Sequence, residues 1–199
     1  MNRILRSVLV VGAAAAALAA CTSTNVGNPT PAPTTGGGAT STTKTSSKPS
    51  GPAALDIRKF TQDPCAILAA GDLAPFGNFD APKAEADGPN GPSCAWDGKD
   101  VLEDSSYQVV LVVKGATLES FRESNKSRKV FREATVAGYP AVSYDTASGT
   151  LDCNTAIGTS DKEAVLIQAT VGDGDKAFAG KPCDAAEKFG ATVIGKLKG

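Results

Sequence analysis

The 199-residue sequence contains no histidine. That absence removes Ser-His-Asp and Cys-His nucleophile systems, because each needs an imidazole to take the proton of the attacking group. It also narrows metal chemistry. With no imidazole and no CxxC pair, a zinc site would need four scattered thiolates. An excess of charge of one sign is missing too. Lys+Arg number 20 against 21 Asp+Glu, a formal net charge of −1, which argues against nucleic acid or anionic head groups as partners. Residues 22–52 lack aromatics and acids altogether and hold a single valine. Such a stretch cannot bury enough apolar surface to offset its ordering entropy.

What is present begins with a three-part N-terminus. Arg3 and Arg6 precede an uncharged apolar run over residues 8–20, too short to span a bilayer comfortably and therefore a secretory signal. The run ends in Leu18-Ala19-Ala20-Cys21, which resembles the bacterial lipobox. The resemblance implies that Cys21 carries a thioether-linked diacylglycerol, that the chain is cut before it, and that the freed amine is open to acylation. Each buried methylene contributes about 0.8 kcal/mol, and two chains hold where one does not. The expected organisation is a signal peptide at 1–20, a lipidated cysteine and tether at 21–54, and one folded domain at 55–199. As a coil, the tether spans roughly 30 Å. Loss of residues 1–20 removes two arginines and no acid, leaving a net charge of −3. The bilayer contact is then the lipid.

Four cysteines lie in the domain: Cys65, Cys94, Cys153 and Cys183. In an exported chain an even number reads as disulfides, here two. Four cysteines allow three connectivities. Context favours Cys65–Cys183 and Cys94–Cys153. Pro64 and Pro182 each place a cysteine just inside a helix start, whereas "SCAW" and "LDCNTAIG" are strand-like. That pairing would bring an opening and a closing helix side by side.

Periodicity predicts a short helix near residues 64–70, then a turn-rich segment with three prolines. Strands follow at 94–97 and 107–114, the latter dense in β-branched residues. Thr117 caps a helix, "TLESFRESN". Residues 129–136 and 140–144 flank one hairpin, and 151–159 and 164–171 flank another. A closing helix runs from Pro182 to about Lys196, with Ala186, Phe189, Val193 and Leu197 on one face. The expected fold is α+β: an antiparallel sheet of five to six strands with helices packed against it.

"DPCAIL", "SCAWD", "AGYPAV", a cysteine in the next strand and "KPCDAAEKFGATVIGKL" together resemble the actinobacterial lipoproteins of domain-of-unknown-function family 3558, over residues 55–198. The resemblance implies a Gram-positive, high-GC host and an envelope location. It carries over no catalytic residue.

Enzymatic chemistry would have to rest on a Ser-Lys pair or two carboxylates. Glu103 and Asp104 are candidates, but "DGKDVLEDSS" reads as a solvated loop. "VGDGDKAFAG" begins like a calcium loop at Asp173 and Asp175, yet Ala177 stands where a third oxygen ligand belongs. Trp96, Tyr107 and Tyr139 could line a ligand site, although an aromatic beside a bridged cysteine also fits core packing. Asn125-Lys126-Ser127 matches a glycosylation sequon. The expectation is therefore a non-catalytic protein without cofactor or metal, anchored to the outside of the cell membrane through Cys21, that does not bind nucleic acid. Two classes compete: a ligand-binding or sensor-like module for a small molecule or lipid, marked by a concave apolar pocket, and a protein-interaction module of an envelope complex, marked by an exposed apolar patch.

Overall fold

Residues 51–199 are described by a computed structural model. The expected signal, Cys21 and most of the tether lie outside them. Seven strands, β1 (Lys83–Glu85), β2 (Ser93–Trp96), β3 (Ser106–Val112), β4 (Val130–Val136), β5 (Tyr139–Asp145), β6 (Asp152–Gly158) and β7 (Ala164–Thr170), form one sheet. Three helices, α1 (Ala70–Leu73), α2 (Leu118–Asn125) and α3 (Pro182–Lys198), complete the fold. Strand order is β1-β2-β3-β7-β6-β5-β4, and every pairing is antiparallel. The sheet is thus two sequential meanders, β1 to β3 and β4 to β7, joined along β3 and β7.

The α+β antiparallel architecture is as the periodicity predicts, but the sheet has seven strands rather than five or six. The extra strand, β1, consists of three exposed residues. It has no apolar alternation to read, and pairing with β2 alone makes it a strand.

The near-continuous apolar runs of β3 and β7 follow from burial on both faces. Val109, Leu111, Val165 and Ile167 face one core with Phe189, Val193, Ile194 and Leu197 of α3. Val110, Val112, Val142 and Leu166 face a smaller one under Leu118 and Phe121 of α2. Helix α2 starts where Thr117 Oγ1 accepts from the Ser120 amide at 3.2 Å, satisfying a first-turn N–H. Helix α3 opens on Pro182, with Asp184 in its first turn and Lys196 and Lys198 in its last, each charge at the favourable end of the dipole. Between β4 and β5, Ala137 and Gly138 both take positive φ, 49° and 88°, the tight reversal that a two-residue hairpin needs.

The four domain cysteines are bridged, but not in the expected pairs. The disulfides are Cys65–Cys94 and Cys153–Cys183. Strand order gives the reason. Strands β3 and β7 lie between β2, which carries Cys94, and β6, which carries Cys153. Three strand spacings amount to about 14 Å, and a bridge tolerates about 7 Å between Cα atoms. Each strand cysteine is instead met by the helical-turn cysteine packed beneath it. The expected opening helix at 64–70 is also corrected. Only a 3-10 turn forms over Pro64–Ile67, Leu68 is extended, and α1 is a single turn whose Asp72 Oδ2 accepts from Ala69 N at 2.9 Å. Gly71 and Pro75 leave no room for a longer helix. The side-by-side pair of terminal helices does not exist. No described helix is long and apolar enough to cross a membrane.

Candidate functional site

The three aromatics singled out by sequence have separate fates. Trp96 and Tyr107, 1% and 2% exposed, are core residues. Tyr107 stacks on Phe189 at 4.4 Å between ring centroids and 5° between planes, while Phe76 meets both edge-on at 5.6 and 4.9 Å. Tyr139 is also buried, and its hydroxyl donates to the Ala53 carbonyl at 2.7 Å, pinning the start of the domain to the end of the sheet where β5 begins.

The Tyr107 hydroxyl is buried without a hydrogen-bond partner. The neighbouring Ser105 hydroxyl gives its own hydrogen to Asp175 Oδ2 at 2.8 Å. Burial, and then the Asp175 carboxylate, push the phenol up to about 12. The folded state therefore holds the neutral phenol more tightly than the unfolded chain does. Its contribution is complete below about pH 10 and is lost as pH rises through 12, a change of roughly 2–3 kcal/mol. Tyr107→Phe is expected to leave stability at pH 7 unchanged, or raise it by up to about 1 kcal/mol, and to flatten this alkaline loss. Urea titrations from pH 8 to 11.5 would show it. A variant that loses stability at pH 7 would mean the hydroxyl is satisfied after all.

Trp96 also closes the bottom of a cleft of about 340 Å³. Leu68, Leu73, Phe79 and Pro82 complete its apolar wall, and Asn78, Asp80 and Lys99 supply its exposed polar lining. The cleft arises because α1 and the 3-10 turn after it, Ala74–Phe76, stand over the outer end of β2. Cys65–Cys94 ties the turn preceding α1 to that strand, and Lys99 N bonds the Asn78 carbonyl at 3.2 Å to close the opposite side. Sequence reasoning missed Leu68, Leu73 and Phe79. They lie in a stretch rich in turn residues, where apolar positions show no period. Two phenylalanines within four residues, at 76 and 79, were the available signal.

A second cleft, about 380 Å³, shares Gly77 with the first and is lined by Glu103, Asp104, Ser105 and Asp175. It holds the carboxylates considered for chemistry. Asp104 Oδ2 accepts from Asp100 N at 3.1 Å, and Glu103 is exposed. Asp175 spends both oxygens inside the fold: Oδ2 on Ser105, and Oδ1 on the amides of Ala177 and Phe178 at 3.2 and 3.3 Å. The suspected calcium loop is thus a braced turn. Among the described residues no cluster of three or more acidic or cysteine side chains is placed to hold a metal. Asn125 of the sequon is 5% exposed, and its amide donates to the Phe121 carbonyl at 2.8 Å, so its nitrogen is spoken for.

Residues 16–196 match the family described as protein of unknown function (DUF3558). The chain belongs to that family. No curated protein and no solved structure matches the chain. As a member of DUF3558, the domain inherits no assigned chemistry, and the clefts stand on their own geometry.

Proposed function

We propose that this DUF3558 protein is a lipoprotein of the actinobacterial cell envelope, held to the outer side of the cell membrane through Cys21, and that its domain is a non-catalytic binding module for a small ligand with an apolar body. The cleft above Trp96 carries this reading. Its floor and walls are apolar, its exposed lining holds one carboxylate and one ammonium group, and a ligand pocket of this size characteristically joins an apolar body to a few orienting polar groups. Helix α1 and the bridged turn form a fixed wall rather than a loop, which lowers the ordering cost of binding.

Trp96 is the chain's only tryptophan, so energy transfer has a single donor, at the floor of the cleft. Titrating the full chain with anilinonaphthalene sulfonate is expected to give saturable energy transfer from Trp96. Leu73→Glu, which puts a charge in the wall, is expected to weaken this transfer at least tenfold, the cost of desolvating one carboxylate being well above 1.4 kcal/mol. Intact-mass measurement of protein extracted from membranes should reveal a co-purifying small molecule that the variant lacks. Transfer that does not saturate, or that survives Leu73→Glu, would remove the cleft as the site.

The anchor has its own test. Mature protein is expected to enter the detergent phase, and Cys21→Ala is expected to move it to the aqueous phase or stall its processing, because the anchoring energy of the acyl chains is lost. Mass spectrometry of an unmodified Cys21 at the mature N-terminus would overturn the assignment.

A further inference from the structure

One end of the sheet is braced yet displays apolar side chains. Ser106 of β3, Thr170 of β7 and Asp152 of β6 lie in register there, so the segments 97–105, 146–151 and 171–177 meet. Asp173 N donates to the Leu102 carbonyl at 2.7 Å, Gly174 N to Glu103 at 3.0 Å, and Val171 N to Leu151 at 2.8 Å. The buried Ser105 hydroxyl accepts from Gly172 N at 3.2 Å while donating to Asp175. A Cβ at Gly172 would stand 2.5 Å from the Glu103 carbonyl oxygen, so only glycine lets the two loops close. From this fixed base project Val101, 85% exposed, Leu102, 70%, and Leu151, 54%. They are the large apolar side chains left exposed among the described residues. Leu102 and Leu151 are held to one strand exit two residues apart.

Charge decides what would cover them. The exposed ionic groups of these segments, with Asp152 at the start of β6 beside them, are Asp100, Glu103, Asp152 and Asp173 against Lys99 and Lys176. A second copy in a symmetric contact would set carboxylates against carboxylates. An anionic bilayer would be repelled. A protein surface with an apolar centre and a lysine or arginine rim would be attracted, and it would dock on loops already held in place. The first described residues lie at the opposite end of the sheet, where Ala53 meets Tyr139 and Leu55 N bonds the Thr159 carbonyl at 2.9 Å. We propose that the end bearing Val101, Leu102 and Leu151 docks a partner protein whose contact surface is apolar at its centre and basic at its rim. Three side chains make a small patch, and the contact belongs to the transient class. None of the three lines the Trp96 cleft, so this inference stands apart from the ligand-binding one.

Photo-crosslinking in the cells that make the protein tests it. The full chain would carry benzoylphenylalanine at Val101 or Leu151, with Glu123 on α2 as the control position. The expected result is one discrete protein adduct from both apical positions and none from Glu123. The crosslinked partner peptide should contain lysine or arginine beside apolar residues. The double reversal Glu103→Lys with Asp173→Lys, two carboxylates on the exposed rim, should cut adduct yield about tenfold, with Trp96 emission unchanged as evidence of an intact fold. Adducts to lipid only, an adduct at twice the chain's own mass, no adduct, or a yield indifferent to the charge reversal would each overturn the proposal.

Discussion

Phe189→Ala is expected to destabilise the domain by about 3–5 kcal/mol, the range for emptying a large aromatic site in a core. Phe189 is fully buried and is the residue through which α3 reaches the first meander. It stacks on Tyr107 of β3, meets Phe76 edge-on, and lies 5.7 Å from Trp96 of β2. Each such aromatic pair contributes about 0.5–1.5 kcal/mol beyond area burial. The hole cannot collapse, because the rings around it belong to three elements fixed by the sheet and a disulfide. Urea unfolding should show a lower midpoint with unchanged slope, and Trp96 emission should shift to the red if water enters. Ile194→Val, five residues along α3 and equally buried, should cost only about 0.5–1.5 kcal/mol. A loss below about 1 kcal/mol at Phe189 would mean that α3 is not seated as described.

Removing either disulfide as a pair of alanines is expected to cost about 3–4 kcal/mol by loop-closure entropy. The two costs should be nearly equal, since the sequence separations are 29 and 30. Their consequences should differ in place. Without Cys65–Cys94, the turn before α1 is free of β2 and the wall of the Trp96 cleft loosens, so ligand-dependent emission should weaken. Without Cys153–Cys183, the first turn of α3 is free of β6, and amide exchange should rise over residues 183–186 while the cleft stays intact. Non-reduced peptide mapping should recover these two pairs and no others. A Cys94–Cys153 peptide would refute the strand order itself.

Elements with a period were legible. The two hairpins, α2 with its Thr117 cap and α3 with its Pro182 start all lie within two residues of where sequence places them. Elements created by their neighbours were not. Strand β1 is a strand only because β2 offers it an edge, and α1 is a single turn held by Asp72 and Cys65–Cys94. The disulfide pairing failed for a related reason. Resemblance of local context says what a cysteine sits on, whereas pairing depends on strand order, and the insertion of β7 beside β3 leaves no mark in either strand's composition. The cleft was missed because its walls come from the aperiodic segment 68–82. The acid-rich loops were legible as polar turns, but the exposure of Val101 and Leu102 was not, since two apolar residues in a loop read the same whether they face inward or outward.

The meeting of two meanders along β3 and β7 has a consequence for how the chain assembles. Within each meander, partners follow one another in sequence, but Val110 pairs with Leu166, and contacts so distant form late. Both disulfides are internal to one half: Cys65–Cys94 to the first, Cys153–Cys183 to the second. Neither crosses the seam. As the chain emerges from its N-terminus, the first pair can oxidise before Cys153 or Cys183 appears, and the second then has only each other to choose. On the proposed export, order of appearance would stand in for an isomerase. The seam is left to side-chain packing and backbone pairing, so the two oxidised halves should be able to part and rejoin without any covalent bond being broken.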